Sequence, residues 1–135
     1  MENQTSPSDK LRVLLVDDEP HVRIVLKEIL ANLNCEVCGE ATSGLEAVQL
    51  FREQRPDLMI LDITMPILSG EEVLMMIMME YPDAVVIILT SMTDEQTVNA
   101  CLDLGAYNYI RKDTPLEEIK STIKETLDLC YGKEA

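Results

Sequence analysis

Positive charge is scarce in this chain. Eleven Lys and Arg stand against 25 Asp and Glu in 135 residues, a formal charge of −14. That balance argues against nucleic acid or an anionic membrane as a direct partner. No apolar run approaches the ~20 residues that a membrane span needs. Residues 1–10 are polar and apolar residues begin at Leu11, so no signal peptide is read and a cytoplasmic protein is expected. Neither G-x-x-x-x-G-K-[ST] nor G-x-G-x-x-G follows any strand-like run, which disfavours nucleotide and flavin binding. Histidine occurs once, as His21 in the first turn of a helical segment, where a surface or capping role suffices. The chain has no room for a second domain, but a single domain of 135 residues buries about two-thirds of its unfolded surface. With that much core, Cys35, Cys38, Cys101 and Cys130 are not needed as disulfides, and a reducing compartment is consistent. Cys35 and Cys38 form a C-x-x-C, yet inside an apolar stretch rather than at a strand-to-helix turn. We read them as packed or half-exposed thiols, not a redox pair or a zinc site.

What is present alternates. Residues 1–10 are expected to be a frayed tail, 11–131 the folded domain and 132–135 a second tail. Residues 11–16 read as a strand, followed by Asp17, Asp18, Glu19 and Pro20, the last suited to a first helical position. Val22, Val25, Leu26, Ile29, Leu30 and Leu33 then make one stripe of an amphipathic helix. A second strand is predicted over 35–39, with Ser43 and Glu46 as a capping box opening a helix to about Gln54. The third strand covers 57–61, and Ser69 with Glu72 caps a helix running to Glu80, where Tyr81, Pro82 and Asp83 stop it. The apolar run 84–89 is the fourth strand. Thr93 and Gln96 cap a helix ending at Gly105, 106–110 is the fifth strand, and Thr114, Pro115 and Glu117 open the last helix. Five strand–helix units in alternation predict an α/β fold, a parallel sheet with helices on both faces.

In such a sheet every strand ends on one side, where ligands bind. Asp62 closes the apolar run Leu58, Met59, Ile60, Leu61, and by itself it could be a turn aspartate capping its own backbone. Its companions are Asp17 and Asp18 after the first strand, Thr90 and Ser91 after the fourth and Lys112 after the fifth. Taken alone, Asp17 and Asp18 could be first-turn acids meeting a helix dipole, and Lys112 a solvated lysine. Together they form a different object. Converging carboxylates repel unless a cation sits among them, and an all-oxygen set suits Mg²⁺ or Mn²⁺ rather than zinc. An ammonium and a hydroxyl beside them make a pocket for a phosphoryl group, with Asp62 placed as nucleophile for an aspartyl-phosphate.

Asp17-Asp18, Asp62 followed by Met65-Pro66 and Gly70, Thr90-Ser91, Gly105-Ala106, Tyr109 and Lys112 resemble the receiver domain of two-component response regulators over nearly the whole chain. The resemblance implies a (βα)5 flavodoxin-like sheet in the order 2-1-3-4-5. It implies phosphoryl transfer from the phosphohistidine of a sensor histidine kinase, or of a histidine phosphotransfer protein, to Asp62 with Mg²⁺. By the same resemblance Asp18, Asp62 and the Thr64 backbone carbonyl ligate the metal and Asp17 contributes mainly through water. Thr90 and Lys112 contact the phosphoryl oxygens, and Tyr109 is the aromatic switch. Partners, or a second copy, are expected on the face formed by the fourth helix, fifth strand and fifth helix.

The family usually has proline after its lysine, but Asp113 follows Lys112 here. A cis bond before a non-proline residue costs about 2.5–4 kcal/mol, so the turn is either trans or a strained cis. Met75, Met76, Met78 and Met79 crowd the third helix and are expected to fill core, the alternative being an adaptable partner surface. The reading is a stand-alone receiver, a binding switch rather than a turnover enzyme. The competing classes are a small-molecule phosphatase, whose nucleophile follows the first strand in a D-x-D arrangement, and a pseudo-receiver lacking phosphorylation. The adjacent acids Asp17-Asp18 speak against the first, and the intact Asp62, Thr90 and Lys112 against the second.

Overall fold

The apolar runs and stripes are realised as β1 (Arg12–Val16), α1 (Pro20–Asn32), β2 (Glu36–Ala41), α2 (Gly44–Gln54), β3 (Leu58–Asp62), α3 (Gly70–Glu80), β4 (Val86–Thr90), α4 (Glu95–Leu104), β5 (Asn108–Arg111) and α5 (Leu116–Tyr131). These come from a computed structural model that describes residues 10–65, 67–91 and 95–132. Nearly all of both expected tails, the Thr93 cap and Pro66 lie outside the described residues.

All neighbouring strands pair in parallel, in the order β2-β1-β3-β4-β5. The chain leaves β1 toward β2 and then returns past it to β3. The two connections therefore diverge at the carboxyl ends of β1 and β3, which opens a crevice there.

Side chains alternate across the sheet and build two half-cores. Leu14, Val16, Met59, Leu61 and Ile88 pack beneath α2 and α3 with Phe51, Val73, Leu74 and Ile77. Val13, Leu15, Ile60, Ile87 and Leu89 pack beneath α1 and α5 with Leu26, Leu30, Ile119 and Ile123. Every residue of β3 and β4 is buried, as the unbroken apolar runs require. Each such Leu or Ile is worth about 1.5–3 kcal/mol.

Several boundaries differ from the expectation. β2 runs to Ala41 because a bulge lengthens it: Val13 pairs with Val37 but Leu14 with Gly39, leaving Cys38 as the extra residue. Cys35 is buried, Cys38 half-buried and both are free. Burial pushes both thiols up, which keeps them protonated and inert. At α2 the capping box is half-made. Ser43 Oγ accepts the Glu46 N–H, while the Glu46 carboxylate accepts from Thr42 N–H instead of the cap residue. The box at α3 is complete in Ser69 and Glu72. Pro115, not Thr114, is the cap residue of α5, and no side chain caps it. Thr114 N–H is already used at 3.1 Å on the Arg111 carbonyl.

The core-filling expectation fails for three of the four α3 methionines. Met75, Met76 and Met79 are 43, 36 and 79 % exposed, because Val73, Leu74 and Ile77 already form the buried stripe of α3. Met78 does pack against the core and reaches Gly105, which has φ +121° and whose added Cβ would sit 2.9 Å from Met78 Cε. Glycine closes α4 for both reasons.

Candidate functional site

Three strand ends feed the crevice. After β1, Asp17 donates its N–H to the Ala41 carbonyl at 3.0 Å and stays buried. Its Oδ1 accepts the Glu19 N–H at 2.9 Å, and Arg23 Nη1 donates to its carbonyl at 2.7 Å. These bonds fix the acidic turn while leaving Asp18 exposed. After β3, Asp62 is 2 % exposed and its Oδ1 accepts the Thr64 N–H at 3.0 Å. Carboxylate oxygens of Asp17, Asp18 and Asp62 lie within 4.8 Å of one another. The chain can turn so sharply after Asp62 only because residue 70 is glycine. A Cβ there would lie 2.3 Å from the Asp62 carbonyl oxygen and 2.5 Å from Ile63 Cα.

Lys112 arrives from the far edge of the sheet. Its N–H donates to the Thr90 carbonyl at 2.8 Å, and its Nζ stands 2.7 Å from Glu19 Oε1, 3.0 Å from Asp17 Oδ2 and 3.3 Å from Asp62 Oδ2. Asp17 Oδ2 has no aligned hydrogen-bond donor among the described residues, so its contact with Lys112 is one of charge alone. The Lys112–Asp113 peptide is trans. Arg111 grips Asp113 through two contacts, Nε to Oδ1 at 2.9 Å and Nη2 to Oδ2 at 2.6 Å, so a charged fork shapes the turn where the family usually has proline.

The electrostatics follow from this crowding. Burial, then the Asp17 charge, pushes Asp62 up to about 6, opposed by the Thr64 N–H and by Lys112. Burial alone would lower Lys112, but its hydrogen bond to Glu19 and the charges of the neighbouring Asp62 and Asp17 carboxylates hold its ammonium well above the usual lysine range. The Lys112 hydrogen bond and charge pull Glu19 below the usual carboxylate range.

The structure thus gathers Asp17, Asp18, Asp62 and Lys112. Thr90 is fully buried at the end of β4, one residue beyond the Leu89 that pairs with Asp62. Thr64 is exposed in the loop after β3. Tyr109 stands apart on β5, 41 % exposed. Glu19 and Arg23 were not singled out in the sequence, although the third acid in a row at a strand end was the available signal for Glu19. A donor set of hard carboxylate oxygens, one of them buried without a donor of its own, fits an oxygen-seeking divalent cation.

Residues 13–124 match the response regulator receiver domain family. The chain belongs to that family. The receiver domain is 40 % identical over 101 residues to the chemotaxis protein CheY of Thermotoga maritima, covering 75 % of this chain and 84 % of that one. It is 41 % identical over 127 residues, 92 % of this chain, to the protein-glutamate methylesterase/protein-glutamine glutaminase of Pyrococcus abyssi, but spans only 34 % of that longer protein. Its structure superposes with a TM-score of 0.81 and 29 % identity on CheY in the CheX–CheY–BeF3–Mg²⁺ complex of Borrelia burgdorferi, covering 91 % of this chain and 90 % of the other. Among the described residues the receiver domain has no helix long and apolar enough to cross a membrane.

Proposed function

We propose that this receiver domain, taken as residues 11–131, accepts a phosphoryl group on Asp62 from the phosphohistidine of a sensor histidine kinase or a histidine phosphotransfer protein. The observation that carries the reading is the meeting of Asp62 at the end of β3 with two further carboxylates and the Lys112 ammonium. Asp18, Asp62 and the Thr64 carbonyl would hold Mg²⁺, or Mn²⁺, with Asp17 behind them. When bound, the ion supplies positive charge that lets a phosphoryl anion approach the carboxylates. An oxygen of Asp62 attacks phosphorus, the bond from phosphorus to the donor imidazole breaks, and its electron pair returns to the ring. The Thr64 N–H holds Asp62 Oδ1 in place during attack. Lys112 offers its ammonium to the equatorial oxygens, and Thr90 its hydroxyl. No turnover on a separate substrate is proposed, and the setting is cytoplasmic.

The output is a change of shape. Up to two new negative charges beside Thr90 draw its hydroxyl toward them, and the space vacated lets Tyr109, now outward, turn in. The face of α4, β5 and α5 then docks a downstream protein or a second copy.

Intact-mass measurement after mixing with Mg²⁺ and acetyl phosphate tests the acceptor. Wild type should gain one phosphoryl group and Asp62→Asn none. Equal labelling of both would reject the assignment.

A further inference from the structure

The methionines of α3 are not used by the phosphoacceptor site, and the charge around them is unusual. Residues 57–110 contain no Lys, Arg or His, so all 11 basic residues of the chain lie outside this stretch. Between α3 and α4 runs a groove of about 480 Å³ with Met75, Ala100 and Leu104 along it and Glu71, Glu72 and Asp103 at its rim. Met79 extends the apolar strip one turn further along α3. Flexible thioether side chains exposed on one face can repack around differently shaped apolar anchors. The groove's own lining carries three acids and no cation, Arg52 meeting α3 beyond it at Glu80 at 3.0 Å, and this acidic rim selects what carries those anchors.

We infer that the α3–α4 groove is a docking site for a basic amphipathic helix of another protein. Such a helix lays apolar side chains at i, i+3 or i+4 and i+7 into a groove and keeps Lys and Arg at the edges, facing acids. Charge complementarity excludes the other occupants. A second copy of this chain brings a formal −14 and repeats the same acids, and an anionic lipid surface or nucleic acid is repelled. Residues 1–9 offer only Met1 and Pro7 as apolar side chains, not the i, i+3 or i+4, i+7 series of a helical stripe. This site lies on α3 and one side of α4, and it does not depend on Asp62 being phosphorylated.

The test uses the full chain with [13C]methyl-labelled methionine and a synthetic Leu/Lys amphipathic helix of about four turns, at about 0.15 M salt. A control peptide of equal charge replaces every Leu by Ser. Among the eight methionines, Met75 and Met79 should shift most while buried Met59 stays still. The Ser peptide should bind at least about tenfold more weakly. Met75→Gln with Met79→Gln, both at exposed positions, should weaken the Leu/Lys peptide by about tenfold. Leu129→Gln, at an exposed apolar position on α5, should not. Glu72→Gln with Asp103→Asn should flatten the salt dependence. Equal binding of the two peptides, binding that leaves Met75 and Met79 unshifted, or no binding at millimolar peptide would each overturn the proposal.

Discussion

The Lys112 ammonium lies closer to Glu19, at 2.7 Å, than to Asp62, at 3.3 Å. Glu19 is on the rim, with its side chain 47 % exposed, whereas Asp62 is inside the crevice. Lys112 must therefore relax its hold on the rim before it can serve a phosphoryl group at Asp62.

Glu19→Gln should accordingly speed phosphoryl uptake from acetyl phosphate by about threefold, since a rim pair of this kind is weak and screened by salt. Folding stability should hardly move. A slower variant would show that Glu19 positions Lys112 for the reaction instead of competing for it.

Asp62 gives the metal-free protein a characteristic pH response. Its pKa, 3.8 when unperturbed, is pushed up to about 6 in the fold. The folded protein thus holds that proton more tightly than the unfolded chain does, and stability falls as pH rises from about 3.8 to about 6. The difference between the two values corresponds to about 3 kcal/mol. Asn at this position still accepts the Thr64 N–H and carries no charge. In urea titrations with chelator present, Asp62→Asn should match wild type near pH 4 and exceed it by about 1–3 kcal/mol at pH 7. A pH-independent gap would mean that charge burial is not the cause.

Divalent cation should stabilise the fold, because Asp17, Asp18 and Asp62 repel one another without it. At a hundredfold excess over its Kd, Mg²⁺ should add about 2.7 kcal/mol, reversed by chelator. Asp18→Asn, at an exposed position, should weaken that response at least about tenfold in cation concentration while leaving the chelated protein folded. A thermal melt indifferent to Mg²⁺ and chelator would contradict the cation site.

Gly70→Ala should damage the site through the backbone. The new methyl group meets the Asp62 carbonyl oxygen and Ile63 Cα, both main-chain atoms that cannot swing aside. Overpacking of this kind costs about 1–3 kcal/mol, and the shift falls on the segment that carries Asp62 and Thr64. Lower urea stability together with slower phosphoryl uptake is expected. Unchanged values for both would show that the loop adapts freely.

The fold was legible because each level of the sequence pointed the same way. Unbroken apolar runs at β3 and β4, a stripe along α1 and the Ser69–Glu72 box at α3 all appear where the pattern places them. Strand ends were less legible. Residues such as Asp62 and Arg111 extend strands by hydrogen bonding along the main chain, to which the polarity of a side chain is no guide. The site's acids were legible as a convergence of strand ends, but the hold of Glu19 on Lys112 was not, since it joins residues 93 positions apart across the mouth of the crevice. The exposure of Met75, Met76 and Met79 was missed for a related reason: hydrophobicity says what a residue tolerates, and the register of α3 decides what it receives.

The bulge at Cys38 bears on how this protein behaves in a crowded cell. β2 is an outer strand, paired on one side only, and such a strand presents unused N–H and C=O groups to any extended segment that drifts past. The extra residue between Val37 and Gly39 throws that outer row out of step, and Glu36 and Glu40 add charge to the same strand. An incoming strand that pairs below the bulge loses register above it, which disfavours extension of the sheet at the β2 edge. The β2 edge is thereby guarded against self-association while the carboxyl ends of the strands stay free for exchange with partners.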